Sequence, residues 1–274
     1  MVAMRRGALF TNLALSLVAL FAMAPLLWMV SVSFMSPGEA SSFPPPLFPA
    51  HPTTANFVEL FANTDMARYL ANSVMLAIMA TLLSLTFNVM AGYAFAKLRF
   101  RGRDRLFRFL LTALVIPAQV AMIPLFLICK SLGIVNSFAG VLVPSIATVF
   151  GIFLVRQYAL SIPDEMLEAA RVDGASEGRI FRSIVLPTLK PILATLATFS
   201  FLGSWSDFLW PLIILNDSQK QTLPVALANL SREHVQDVEL MMAGSVVTLL
   251  PVLALFLLLQ RYYIAGLMAG SVKG

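Results

Sequence analysis

The sequence predicts an all-α integral membrane protein with six transmembrane helices. Its 274 residues are 59% hydrophobic and 12% charged, with a mean hydropathy of +0.84, whereas a soluble domain carries about 25% charged residues. About 20 apolar residues in a helix cross about 30 Å of hydrocarbon, and the chain contains six runs of that length. Strands of a membrane β-barrel alternate in polarity over roughly ten residues, so the unbroken runs favour helices.

The six runs define one membrane domain that covers residues 1–274. Prolines inside the third, fourth and sixth runs, such as Pro117, Pro144 and Pro251, lack a backbone N–H donor and predict kinks there. We place the spans at about residues 8–34, 69–96, 107–129, 134–157, 191–215 and 240–261.

The first run could be mistaken for a secretory signal. Arg5 and Arg6 precede it, and Ala22-Met23-Ala24 imitates a cleavage site with small residues. The apolar run nevertheless continues from Pro25 to Met35, and a proline directly after the cut is unfavourable. We therefore expect a retained first span.

The distribution of basic residues predicts the orientation. Fifteen of the 19 lysines and arginines fall in the N-terminal tail, the loops after spans two and four, and the C-terminal tail. Cytoplasmic loops carry such an excess, so both termini are predicted to be cytoplasmic. Six of the cations lie within Lys97–Arg108, where they would anchor the loop to anionic headgroups; a docking role for this loop stays open. The sequence pI near 9.7 thus reflects membrane topology. The chain has no basic patch interleaved with aromatic residues that would indicate nucleic-acid binding.

The cytoplasmic loop of residues 161–190 concentrates charge in a chain that carries little. Ser161 and Asp164, three residues apart, match a capping box at the start of a helix from about Ile162 to Val172. Gly174 then supplies a break that tolerates positive φ. The stretch predicts a helix followed by a glycine turn.

A second short helix is predicted after the turn. Ser176 would cap it and Pro187 would end it. Its apolar positions, including Ile184, recur at helical spacing and give one face that could lie on the ends of the spans. The loop therefore reads as a helix, a turn and a helix.

The motif in this loop resembles the cytoplasmic motif in permease subunits of ATP-binding-cassette importers. Seven residue types at fixed offsets over twenty positions carry the resemblance: Glu168, Ala169, Ala170, Gly174, Ile184, Leu186 and Pro187. The rest of the chain is similar to the carbohydrate branch of that family, the maltose-type smaller permease. The matching pieces are Asn72-Ser73, Ala91-Gly92-Tyr93-Ala94, Trp205-Ser206-Asp207-Phe208, Trp210-Pro211-Leu212 and the C-terminal QRYYIAGLMAGSVKG. Relatives often have Asn where this chain has Ser206.

The resemblance implies a type I importer in the bacterial cytoplasmic (inner) membrane. Two related permeases would form the pore, two ATPase subunits would bind below it, and an extracytoplasmic sugar-binding protein would deliver the substrate. The chain contains no G-x-x-x-x-G-K-[ST] phosphate loop, so it would be no enzyme and carry no cofactor. ATP and Mg would be bound by the partner ATPase subunits.

By the same resemblance, the helix that includes Glu168 is the coupling helix, seated in a cleft of the ATPase. We expect Glu168 and Arg171 to form ion pairs at its rim, Ala169 and Ala170 to permit close seating, and Gly174 to fix the angle between the helices. The full set of predicted coupling residues is Glu168, Ala169, Ala170, Arg171, Asp173, Gly174, Ile184, Leu186 and Pro187.

Asp207 is the one acidic residue within a predicted span. An acid near the bilayer centre usually faces the bundle interior or water. Three roles stay open: structural pairing, lining the sugar path with Trp205, Ser206 and Trp210, or a proton relay. The relay belongs to an alternative function, an ion-coupled secondary transporter with Asp207 as coupling acid, which would be expected to contain more such acids and internal repeats.

An embedded enzyme is a second alternative, but the sequence gives it little support. His51 and His234 fall in predicted external segments and Cys129 is the only cysteine, so no catalytic or metal-ligand set appears. The interiors of the predicted spans supply no cation for a phosphate, which favours oligosaccharide over glycerol phosphate as substrate. Monosaccharides stay open.

Overall fold

A computed structural model describes the backbone of residues 2–233 and 237–271 and the side chains of residues 11–230 and 237–258. Within these ranges all regular structure is helical. His234 and the side chains of Arg5, Arg6 and the C-terminal motif from Gln260 onward lie outside the described part. The α-helices are α1 Val2–Ser33, α2 Ala55–Asn63, α3 Met66–Lys97, α4 Arg103–Thr112, α5 Ala118–Ser131, α6 Phe138–Leu142, α7 Val149–Ala159, α8 Asp164–Val172, α9 Glu177–Ile180, α10 Leu186–Thr188, α11 Lys190–Trp205, α12 Leu209–Ile214, α13 Leu223–Glu233 and α14 Val238–Ser271.

Several helices are long and apolar enough to cross a membrane. Four stretches in the described part qualify by themselves, with mean hydropathies of 2.0 to 2.3: Thr11–Ser33, Met66–Lys97, Phe138–Ala159 and Val238–Leu258. Two further pairs of helices qualify if each bent pair counts as one span, which raises the number to as many as six. The chain is thus a multi-pass membrane protein, and the count of six spans stays a prediction.

The third predicted span is broken rather than kinked. Arg103–Val115, which is α4 and a 3-10 turn, meets α5 at 109°. Ile116 is extended there, with φ −82° and ψ 118°, and Pro117 follows it as the N-cap of α5. A residue before proline is pushed out of the α region by the proline ring, so the kink predicted in residues 107–129 is a complete break between two helices.

The fourth and fifth predicted spans also contain breaks. After α6, a 3-10 turn at Val143–Ser145 leads to Thr148, whose hydroxyl accepts the N–H of Gly151 and starts α7. In the fifth, α11 ends at Trp205 and α12 begins at Leu209. Three residues, including Asp207, separate the two helices. Both spans therefore consist of two helical pieces.

The described chain divides into two compact units. One contains Met1–Ala67 and Ala226–Pro251. In it the buried amide of Asn56 donates to Ser33 O and Met35 O, at 3.0 and 2.8 Å, and so ties α2 to the end of α1. Buried Glu239 accepts the N–H of Ala40 at 2.7 Å, which holds the connector that follows α1.

The other unit contains Arg68–Val225 and Val252–Gly274. A buried cluster in it joins α3, α7, α8, α9 and α11 through side chains such as Tyr93, Val155, Leu167 and Ile180. At its centre α3 and α7 approach closely, since a Cβ on Gly92 would lie 2.7 Å from Val155 Cβ. This cluster positions the charged loop of residues 161–190 against the ends of the long helices.

Candidate functional site

The loop of residues 161–190 is fixed to the end of α3 by Lys97. The side chain of Lys97 is 5% exposed, and its Nζ donates to Ile162 O at 2.6 Å and to Asp164 Oδ1 at 2.7 Å. The hydrogen bond from Lys97 lowers the pKa of Asp164 below its ordinary value. Sequence reasoning assigned Lys97 only to the basic loop; the structure shows that it holds the start of α8.

The start of α8 differs from the predicted capping box. Ser161 Oγ donates to Tyr158 O at 2.7 Å, so it closes the preceding helix α7 instead of capping α8. Pro163 is the N-cap residue and makes no side-chain cap. Because proline already has the φ that a helix start requires, and Asp164 with Glu165 complement the helix dipole, α8 begins without the predicted box.

The glycine turn is confirmed. Gly174 has φ +78°, a left-handed conformation that disfavours side chains. Its N–H donates to Arg171 O, and the next N–H, of Ala175, donates to Ala170 O, each at 3.0 Å. This pair of bonds is a Schellman motif, which satisfies the last carbonyls of α8. Ser176 then caps α9 by accepting the N–H of Arg179, as predicted.

The second helix passes through a π turn. Residues Phe181–Val185 are π-helical and link α9 to α10. The turn directly precedes Pro187, which cannot donate to a regular α ladder. Pro187 was expected to end the helix, but the helix continues through it to Thr188.

An ion pair spans the turn. Arg171 donates to both carboxylate oxygens of Glu177, through Nε at 2.6 Å and Nη2 at 3.3 Å. This two-point contact raises the pKa of Arg171 and lowers the pKa of Glu177 relative to their ordinary values. This contact links the end of α8 to the start of α9 across the glycine turn.

The helix pair has an inner and an outer face. Leu167 is buried in the cluster beneath it, and Ala170, Ile184 and Leu186 pack against that cluster. The predicted close seating on a partner therefore does not extend to Ala170, whose side chain already has neighbours in this chain.

The outer face carries the remaining coupling residues. Exposed side chains there are Met166, Glu168, Ala169, Val172, Asp173 and Pro187. Val172 at the tip of α8 is 87% exposed, although it is aliphatic. A groove of about 910 Å³ runs beside Glu168 and also touches Arg99 and Arg103, so charges of both signs border this face.

A second candidate site is a cavity of about 290 Å³ at the breaks of spans four and five. Ser145 and Thr148 reach it from the first break and Asp207 from the second. Irregular backbone at membrane depth is tolerated where it lines a cavity or is buried in protein. The two breaks border this cavity, so their irregular backbone lies where such backbone is tolerated.

Of the four residues predicted for a substrate path, only Asp207 lines this cavity. Trp205 is 2% exposed and stacks on Phe201, with ring centroids 5.9 Å apart. Trp210 Nε1 donates to Gly140 O at 3.0 Å, which makes it part of the packing between α12 and α6. Ser206 is exposed but lies outside the described cavity lining.

Sequence reasoning missed the hydroxyl groups of the cavity. Ser84 on α3 and Ser200 on α11 line it with their hydroxyls 2.8 Å apart, and Ser204 and Thr222 line it as well. Small polar residues at a spacing of four within a span, such as Ser200 and Ser204, were the available signal. Such a stripe has meaning only once the neighbouring helix is known.

Two of the residues considered for enzyme chemistry, His51 and Cys129, are in the described part of the chain. His51 is exposed, Cys129 is buried and unoxidised, and the described residues contain no group of three potential metal ligands.

The chain matches known transport proteins over most of its length. Residues 88–267 match the family described as binding-protein-dependent transport system inner membrane component. It is 38% identical over 266 residues to the arabinooligosaccharides transport system permease protein AraQ of Halalkalibacterium halodurans, covering 96% of this chain and 95% of the other. It is 33% identical over 264 residues to the lactose transport system permease protein LacG of Rhizobium radiobacter, covering 94% of each.

A solved structure has the same fold. A chain of a bacterial ABC transporter involved in the import of the acidic polysaccharide alginate superposes with a TM-score of 0.84 at 24% identity, over 94% of this chain and 97% of that one. The family match covers well over half of the sequence. The chain therefore belongs to the family of binding-protein-dependent transport system inner membrane components, and it is a membrane transport subunit rather than an enzyme.

Proposed function

We propose that this chain is a permease subunit of an ATP-driven importer for sugars or oligosaccharides in the bacterial cytoplasmic membrane. It forms half of the translocation path as one domain with six spans and cytoplasmic termini. Support comes from the family match and from relatives whose names specify arabinooligosaccharides and lactose. The positive-inside distribution of charge supports the orientation.

The observation that carries the proposal is the helix pair of residues 164–188. Its inner face belongs to the same buried cluster as α3, α7 and α11, while its outer face exposes an aliphatic tip at Val172. Lys97 and the pair between Arg171 and Glu177 hold its position from two sides. A stiff element with an unfilled outer face is suited to transmit the motion of a docked partner to the spans.

The coupling residues divide into two groups under this proposal. Glu168, Ala169 and Asp173, together with Val172, which the structure adds, contact the ATPase, because their side chains are exposed along α8 and at its C-terminal end. The other predicted residues, Ala170, Arg171, Gly174, Ile184, Leu186 and Pro187, set the shape and seating of the helix pair. Only the first group should change affinity for the ATPase without changing the fold of this chain.

The energy source lies in other chains. The sequence has no phosphate loop, so a pair of ATPase subunits binds ATP and Mg, a second permease completes the path, and an extracytoplasmic protein delivers the sugar. Closing of the ATPase dimer shifts the permease between its outward-open and inward-open states only if these two states bind the closed dimer with different affinity.

The test is transport by the assembled complex. We would coexpress this chain with the products of the neighbouring reading frames, reconstitute the complex in vesicles, and measure uptake of radiolabelled arabinotriose, raffinose or lactose with binding protein outside and ATP inside. We expect uptake that requires both. Uptake by this chain alone in ATP-free vesicles with an ion gradient would instead establish the ion-coupled alternative.

Glu168→Lys supplies a specific variant for the same assay. It reverses the charge of an exposed side chain beside the groove, so we expect weaker copurification of the ATPase with an unchanged thermal unfolding midpoint. Glu165→Gln, which changes another exposed side chain on α8 outside the described lining of the groove without placing a cation at the helix N-terminus, is the control. Equal copurification of both variants and the wild type would remove Glu168 from the interface.

A further inference from the structure

The cavity at the two helix breaks contains a polar atom with nothing to bind. Thr222 is 4% exposed and lines the cavity. Its Oγ1 is buried and has no hydrogen-bond partner among the described residues. Buried hydroxyls are almost always hydrogen-bonded, so an unpartnered one beside a cavity indicates a group that a ligand satisfies.

Asp207 has unused acceptor capacity in the same cavity. Its Oδ1 accepts the N–H of Trp210 at 3.4 Å, which is a long hydrogen bond. A carboxylate offers about four lone-pair sites. Asp207 can therefore accept hydrogen bonds from hydroxyl groups placed in the cavity.

The remaining walls are suited to the two surfaces of a sugar ring. Ser84 Oγ is hydrogen-bonded to Ser200 Oγ and also accepts a hydrogen bond from Asn88 Nδ2 at 2.7 Å, so the Ser200 hydroxyl is the member of the pair that keeps capacity for a ligand. Phe199, which is 54% exposed, lines the cavity and meets Phe150 edge to face at 5.8 Å. Hydroxyls match the polar edge of a sugar, and an aromatic surface matches its C–H face.

Space at the cavity is kept open by Gly203. No described atom lies within 4 Å of a Cβ built on it, so Gly203 borders open space rather than another helix. The volume of about 290 Å³ is just below the roughly 300–1,000 Å³ typical of sites for drug-sized ligands, which suits one sugar unit.

We propose that this cavity binds one uncharged sugar unit of the transported molecule, through hydrogen bonds to Thr222, Asp207 and Ser200 and through packing on Phe199. The inference rests on the proposed function as a sugar importer. The described lining contains no lysine or arginine, and Asp207 is its only ionisable residue. A uronic acid unit would place its carboxylate beside that of Asp207 without a compensating cation, so acidic sugars are disfavoured.

Thr222→Val separates binding from structure. Since Oγ1 has no protein partner, the substitution removes no hydrogen bond from the described structure, and a purely structural residue would tolerate it. We would measure dissociation constants of radiolabelled arabinotriose, raffinose and lactose for the solubilised permease–ATPase complex, without binding protein, by equilibrium dialysis. For whichever probe binds the wild type, we expect weakening of about three- to tenfold with an unchanged unfolding midpoint.

Thr198→Val is the matched control. Thr198 is a buried threonine on α11 whose hydroxyl bonds to Ala194 O and which lies outside the described cavity lining. We expect no change in sugar affinity from it. Equal effects of the two valine variants, or none from Thr222→Val, would overturn the assignment.

Asp207→Asn tests the class of sugar. We expect it to weaken binding of the neutral probe about tenfold. We also expect it to reduce the discrimination against trimannuronate, an acidic trisaccharide. Wild-type binding of trimannuronate as tight as that of the neutral probes would refute the inference, and so would binding of no probe at all. The proposed function is judged separately, by ATP-dependent uptake.

Discussion

The attachment of α8 to α3 should depend on one lysine. Lys97→Met removes the hydrogen bond to Ile162 O, made at 2.6 Å by a side chain that is 5% exposed. A hydrogen bond from a charged donor contributes about 1.5–3 kcal/mol, so we expect a loss of about 2 kcal/mol. Proteins of this size shift by about 2–4 °C per kcal/mol, which predicts an unfolding midpoint about 4–8 °C lower in detergent.

Asp164→Asn is the control for this prediction. Its carboxylate also contacts Lys97, but the side chain is 72% exposed, and exposed ion pairs contribute little to stability. Asp164→Asn should therefore leave the midpoint nearly unchanged. In the reconstituted complex, Lys97→Met should also lower the sugar taken up per ATP hydrolysed, because α8 loses its attachment. Equal midpoint losses in the two variants, or none in Lys97→Met, would refute the reasoning.

Three further predictions concern the turn, the connector and the ion pair. Gly174→Ala forces an alanine to φ +78° and should cost about 1–2 kcal/mol of folding stability. Gly178→Ala in α9, where the added Cβ meets open space, should be neutral or stabilising. Similar unfolding midpoints of the two variants would contradict this. Glu239→Ala leaves the N–H of Ala40 without its acceptor and should cost about 1–3 kcal/mol, with Glu239→Gln losing less in chemical denaturation. The pKa of Glu177 is lowered in the folded state, so its stabilisation is present above its unfolded pKa of about 4.3 and is lost as the pH falls through the folded value. Glu177→Gln should accordingly be less stable at neutral pH and lose less on acidification, and parallel pH curves would argue against the pair.

The sequence was sufficient for features that depend on local patterning. Charge-free runs predict the helical membrane class because helix length is set by bilayer thickness. Gly174 could be located because few other residues tolerate positive φ. The order of helix, turn and helix followed from these local preferences.

Features that depend on tertiary neighbours were not available from the sequence. Ser161 can cap the next helix or close the previous one, and the packing of α8 decides between them. Lys97 lies in a basic loop whose composition is typical of a headgroup anchor, yet its Nζ donates a hydrogen bond to the carbonyl of Ile162. The tryptophans of span five resemble sugar contacts, but they are buried in packing, and the hydroxyls that line the cavity come from separate helices.

The contact between α8 and a separate ATPase can be measured by crosslinking. The chain's single cysteine, Cys129, is buried, so Val172→Cys introduces an accessible thiol at a position that is 87% exposed. A short cysteine-to-lysine reagent should join it to a copurified ATPase subunit in high yield, while Val58→Cys, 64% exposed on α2, should give no such product. Absence of the crosslink from Val172→Cys in an assembled, active complex would contradict the assignment of α8 as the coupling helix.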